Sequence, residues 1–233
     1  MKPPGPALWV FLLFFVFSAL PLEAQSLYEK LGLSFRGSIL CFPENNGMKS
    51  DAMPVLPSLG IAAGWPVLSF MRIELSLDFY GTYYAYSDEL DRVVPVIPGS
   101  RSSFVMGSVL GVQALKTFAP GEGLRIRVYG GPAADLRLCL TASGLEGADK
   151  TEAAEETRDI AAWFWGKGRW FMPAAGAGMD FALTEKLLLG FDLRVWLPAW
   201  RLWSAEILPS VEGWRFGAGN AVQFCYKAFN GCA

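Results

Sequence analysis

Hydropathy that alternates with a period of two is the feature that most limits what this chain can fold into. From Met71 to Tyr84, the residues Met71, Ile73, Leu75, Leu77, Phe79, Gly81 and Tyr83 fall on one parity, and Arg72, Glu74, Ser76, Asp78, Tyr80, Thr82 and Tyr84 on the other. Successive side chains of a strand point to opposite faces, so this stretch reads as a strand with one apolar and one polar face. The same split runs through Leu31–Cys41, Leu124–Leu140 and Leu187–Leu197, and less sharply through Ser58–Trp65, Phe104–Phe118, Phe171–Leu183 and Trp214–Tyr226. Eight strands are predicted.

The connections are as informative as the strands. Pro66–Ser69, Ala119–Gly123 and Thr184–Lys186 are short, whereas Phe42–Pro57, Ala85–Ser103, Thr141–Trp170 and Pro198–Gly213 are long, and the two kinds alternate without exception. Short turns at one rim and long loops at the other are the pattern of a membrane-spanning barrel, with the turns periplasmic and the loops external. The expected fold is all-β: an eight-stranded antiparallel up-and-down transmembrane β-barrel with a short helix in one external loop. That helix is predicted over Asp149–Asp159, with Asp149 as N-cap and Glu152 three residues on. It reads as a solvated acidic surface segment, with a partner-docking loop as the alternative.

The N-terminus reads as an export signal. Met1-Lys2 gives a positive start, Ala7–Leu22 an apolar run, and Leu22-Glu23-Ala24 a small-residue end that fits cleavage before Gln25. A run of sixteen residues interrupted by Pro21 is shorter than the ~20 a spanning helix needs. Residues 1–24 are therefore assigned to a signal peptide and 25–233 to the barrel, with the bacterial outer membrane as destination. Outer-membrane lipid and the outer-membrane assembly machinery are the expected partners.

Alternation alone fits an apolar-inside, lipocalin-like binding barrel as well as an apolar-outside membrane barrel. Three features favour the second. The mid-strand charges are Arg36, Arg72, Arg125, Arg127, Arg137, Arg194 and Arg215 with Glu74, Asp78, Asp135, Asp180 and Asp192, while Lys30, Lys49, Lys116, Lys150, Lys167, Lys186 and Lys227 sit in loops or near strand ends. Arginine pairs in enclosed sites through its planar fork, whereas lysine favours solvent. Gly32, Gly60, Gly64, Gly131, Gly176, Gly178, Gly190, Gly217 and Gly219 share the polar face, as a narrow lumen requires. Trp65, Phe70, Phe118, Trp170, Trp196, Trp200 and Trp203 fall near strand ends, where aromatic girdles meet the membrane interfaces.

Composition removes other classes. With 20 Lys+Arg against 22 Asp+Glu and no basic tract, nothing marks a nucleic-acid partner. The absence of histidine removes His-based triads and His-ligated metal sites, so no enzyme activity, cofactor or metal is expected.

The stretch Tyr129-Gly130-Gly131-Pro132-Ala133 leading into Asp135-Leu136-Arg137, with the last strand Trp214-Arg215-Phe216-Gly217-Ala218-Gly219, resembles the OmpW/OmpX-like eight-stranded outer-membrane barrels, including the small barrel proteins of spirochaete outer membranes. The resemblance implies a passive barrel, in the OmpW branch a porin-like passage for small hydrophobic solutes. Such chains usually end on an aromatic residue; here nine residues follow Phe224.

An eight-stranded interior is only wide enough for side chains, so the twelve charges form either a packed salt-bridge network or the lining of a constricted pore, with an upper cavity near Trp196 as a further reading. Transport through the lumen and surface or host interaction through the external loops both follow as candidate functions. Of the four cysteines, Cys41 and Cys139 lie on opposite parities of strands across the barrel, a poor geometry for a bridge. Cys225 and Cys232 could close a small C-terminal loop as a disulfide or stay as free thiols.

Overall fold

The computed structural model describes residues 32–43, 55–68, 70–96, 103–121, 123–141, 148–184, 187–204 and 213–225. The assigned signal peptide lies outside the described residues, as do Cys232 and the side chain of Cys225. Ten strands are present: β1 (Gly32–Cys41), β2 (Val55–Leu68), β3 (Met71–Ser87), β4 (Arg92–Val96), β5 (Ser103–Gly121), β6 (Leu124–Gly131), β7 (Ala133–Leu140), β8 (Ala174–Thr184), β9 (Leu187–Trp196) and β10 (Arg215–Cys225).

They build eight staves. β6 and β7 continue one another, because Ala114↔Gly130 and Gly111↔Ala133 lie on a single register against β5. Pro132 separates them: its carbonyl accepts from Val112 N at 3.0 Å, but proline has no N–H to return. All neighbours are antiparallel, and β10 pairs with β1 to close the barrel. The eight predicted strands thus coincide with the eight staves. β4 was not anticipated; it is a short hairpin partner of the top of β3 over Tyr83–Ser87.

Closure carries a stagger. Ladder partners lead from Arg125 to Asp180, Gly190, Ala221, Arg36, Gly60, Asp78 and Val109, and return to the starting stave at Asp135, ten residues further along. Such a shear tilts the strands by roughly 35–45° and winds each row of inward side chains helically up the lumen.

Burial is inverted relative to a soluble protein. Leu59 is 72% and Leu193 68% exposed, with Phe35, Ile39, Ile61, Phe79, Leu138, Phe191 and Phe216 also outward and exposed. Arg36, Arg72, Glu74, Asp78, Arg125, Arg127, Asp135, Asp180, Asp192, Arg194 and Arg215 are all buried on the inner face. Glycines on that face make room for them: a Cβ at Gly60 would collide with the Asp78 carboxylate, and one at Gly217 would come within 2.8 Å of the Trp196 ring.

Above the charged level, toward the long loops, the lumen is filled by Leu40, Phe42, Tyr80, Val109, Ala133, Met172, Ala174 and Trp196. The girdle differs from its expectation at two positions. Trp196 and Trp200 are buried rather than facing outward, because Trp196 shares the inward parity of Arg194 and Trp200 packs against Arg169. Phe70, Phe118, Trp170 and Trp203 are exposed.

The loop helix differs from its expectation. α1 runs over Ala148–Trp165, longer than predicted, with Asp149 in its first turn rather than at the cap. It is also not a purely solvated segment. Ala153, Thr157, Ile160 and Phe164 recur at helical spacing and are buried, and Ile160 and Phe164 pack on Tyr84, Val93 and Val105. Tyr84 and Val105 belong to the inward rows of β3 and β5, so α1 lies on the lumen side of a wall that β3, β4, β5 and β7 raise above the rest of the barrel. The Arg137 guanidinium sits 3.8 Å from the Phe164 ring centre, Tyr86 N donates to Glu156 Oε1 at 3.1 Å, and Thr157 Oγ1 lies 2.5 Å from Ser103 Oγ. At the rim the Tyr86 hydroxyl donates to Asp91 Oδ1 at 2.6 Å, a bond to the protonated phenol that raises its pKa.

Thr157→Val removes the hydroxyl pair with Ser103 and should loosen α1 by about 1 kcal/mol, read as faster amide exchange confined to the helix. Unchanged exchange would mean that the pair does not hold the helix down.

Candidate functional site

The distinctive chemistry of this chain is the ionic interior of the barrel. Inward positions on β1, β3, β6, β7, β8, β9 and β10 each carry charge because those strands place a charged residue on the parity opposite their aliphatics. Arg36 of β1 pairs with Glu74 of β3 over the intervening strand β2. Arg127 Nε lies 2.7 Å from Asp180 Oδ2. Arg194 bridges two acids, with Nη1 2.8 Å from Asp78 Oδ2 and Nε 2.5 Å from Asp192 Oδ2. Asp135 receives Arg137 Nε at 2.6 Å and pairs also with Arg215.

Two tyrosines complete the network. Tyr80 donates to Asp135 at 2.8 Å and accepts from Arg215 Nη1 at 3.3 Å, while Tyr129 donates to Asp192 Oδ2 at 2.6 Å. Arg215 also stands 4.8 Å over the Phe42 ring, joining the ionic level to the apolar one above it. The barrel thus brings together all twelve charged residues singled out from the sequence. Sequence reasoning missed the two tyrosine hydroxyls as members, and the fully buried Gln113 as a further polar side chain of the interior. The signal was present: Tyr80 shares the parity of Asp78, Tyr129 that of Arg127, and Gln113 lies among inward positions of β5.

At the short-turn end the network leaves a cavity of only about 20 Å³, lined by Gly64, Arg72, Glu74, Leu115, Thr117, Arg125, Arg127, Asp180 and Gln223. That is room for about one water-sized guest. Packed side chains fill the level above, so the interior has the character of a salt-bridged plug. The upper cavity near Trp196 is replaced by packed core.

A second built surface lies at the long-loop end. The turn Gly166–Gly168 follows α1, and the short helix α2 (Arg201–Ser204) is tied to it by Trp203 Nε1 donating to Lys167 O at 2.8 Å. Lys167 and Gly168 both adopt positive φ, 52° and 75°, which turns the chain sharply there. Arg169 is buried under this surface, donating to Trp163 O at 2.8 Å with its guanidinium 4.0 Å from the Trp163 ring. Trp165, Trp170, Leu202 and Trp203 remain exposed around it, Leu202 at 87%.

Cys41 and Cys139 are free thiols, Cys41 on the outward and Cys139 on the inward parity of their strands. Among the described residues no group of Cys, Asp and Glu could hold a metal ion, and no helix is long and apolar enough to cross a membrane.

No family model and no curated protein sequence matches the chain, so the OmpW/OmpX-like resemblance has no family match behind it. Among solved structures, the chain is similar to Neisserial surface protein A, with 12% identity over 84% of this chain and 96% of that one and a TM-score of 0.49. It is also similar to the outer membrane protein OprG from Pseudomonas aeruginosa, with 12% identity over 83% and 95% and a TM-score of 0.47. A third similarity is to Ail, the attachment invasion locus protein of Yersinia pestis, solved with the heparin analogue sucrose octasulfate, at 11% identity over 83% and 94% and a TM-score of 0.39.

Proposed function

We propose that this chain is an exported barrel of the bacterial outer membrane, closed to passage through its lumen, that acts through the surface its long loops build. The observation that carries the membrane reading is the inversion of burial: a band of exposed leucine, isoleucine and phenylalanine encloses eleven buried charged residues. A soluble barrel would bury the first set and expose the second. The closed form of the wall supports the same reading, since a membrane-crossing sheet can leave no edge unpaired in hydrocarbon.

Surface interaction is favoured over transport by the way the lumen is filled. The ion pairs Arg194–Asp78 and Arg215–Asp135 cross it between distant staves, those of Arg36 and Arg127 fill the space along the wall, an apolar layer lies above, and α1 covers one side of the mouth. By contrast, Trp165, Trp170, Leu202 and Trp203 form a fixed, exposed apolar surface at the loop end, the kind of feature that marks an interaction site.

Planar-bilayer recording tests this directly. The refolded wild-type protein should insert without passing ionic current, and steady single-channel conductance would overturn the closed reading in favour of transport. Orientation has its own test. Cysteines introduced at Asp88 and Asp149 should react with an impermeant thiol reagent on intact cells, and one at Gly121 should stay protected; equal labelling would contradict the assignment of rims.

A further inference from the structure

We propose that the short-turn end of the lumen binds one monatomic anion of chloride size between Arg72, Arg125 and Arg127. All three side chains are more than nine-tenths buried and line the same small cavity. Two of the three, Arg72 and Arg127, carry buried donors that no protein acceptor takes up. Arg72 Nη2 donates to Gly64 O at 3.1 Å, but Arg72 Nη1 is buried with no hydrogen-bond partner, and the same holds for Arg127 Nη2. A buried charged donor left unmatched is expensive, which makes these N–H groups a ready site for an acceptor.

Charge selects an anion over water. The enclosed network holds seven arginines against five carboxylates among the described residues, and the two acids that reach this cavity are already engaged, Glu74 by Arg36 and Asp180 by Arg127. Size selects within the anions. A volume of about 20 Å³ admits one water-sized body, so a halide fits and phosphate, sulfate or an organic acid does not. Glycines keep the donors clear: a Cβ at Gly32 would lie 3.1 Å from Arg72 Nη2, and one at Gly190 3.0 Å from Arg127 Nη2. Glu74 and Asp180 on the cavity wall limit occupancy to a single negative charge.

The test is the unfolding midpoint of the full refolded chain in neutral detergent as sodium chloride or bromide replaces sodium gluconate at constant ionic strength. A saturable rise with either halide is expected, together with one anomalous peak at the cavity in bromide-grown crystals. Arg72→Gln should abolish the halide-specific rise, and Arg158→Gln on the exposed face of α1 should leave it intact. Should Arg72→Gln fail to fold, Arg72→Lys keeps the charge but loses the planar fork, and should raise the half-saturating halide concentration about tenfold. Equal midpoints in halide and gluconate would overturn the proposal. So would a halide response that Arg72→Lys leaves undiminished.

Discussion

Replacing Asp135 by alanine should destabilise the barrel by about 3–5 kcal/mol, the cost of leaving buried charges without their partner. The Asp135 side chain has no solvent exposure and serves three groups at once, Arg137, Arg215 and the Tyr80 hydroxyl. Removing it leaves two guanidinium groups facing each other across a narrow, closed space. Asp135→Asn should cost less, since the amide still accepts from Tyr80 while the charge is lost. Lys150→Ala, on the exposed face of α1, should stay within about 0.5 kcal/mol of wild type. The measurement is the urea midpoint of the protein folded in lipid vesicles. Equal midpoints for Asp135→Ala and Lys150→Ala would mean that the ionic interior is not what holds the staves together.

The complementary substitution is Leu59→Arg on the outer face. Leu59 is 72% exposed and stands between Gly37 of β1 and Phe79 of β3 on the ladder. In water, a charge at so exposed a position would be almost neutral. Against lipid at mid-membrane, it should cost about 2–4 kcal/mol, and the penalty should fall as the arginine is moved along β2 toward Val55 or Val67. A depth-dependent penalty supports the membrane barrel. A flat, near-zero response at all three positions would overturn it and support a barrel soluble in water.

Much of the fold and of the interior was legible in the sequence because both rest on a local rule. A strand sends alternate side chains to opposite faces, so the parity of Arg72, Glu74 and Asp78 against Leu75, Leu77 and Phe79 separates the two faces without any knowledge of neighbours, and the preference for arginine and glycine on the polar one points it inward. The stave Leu124–Leu140 was legible for the same reason: parity continues unbroken through Pro132, although proline thins the ladder there. Where the local rule ends, the reading failed. α1 looked like a short acidic surface helix because its buried stripe includes Ala153 and Thr157, which carry little apolar signal, and its apolar end Ile160–Trp165 resembles the strands around it. Trp196 is a different case: its place near a strand end suggested the girdle, although its parity with Arg194 already puts the ring on the inner face.

The sequence by itself determined the number of staves, the alternation of short turns and long loops, and which twelve charges lie inside, since each depends on residues a few positions apart. Only the tertiary structure decided which charge meets which, that α1 folds onto the inner wall, and that an apolar layer packs above the charged level. The physical reason is the stagger of closure. A shear of ten residues sets Arg194 against Asp78 and Arg215 against Asp135, pairs separated by more than seventy positions in the chain, and no local pattern encodes that offset.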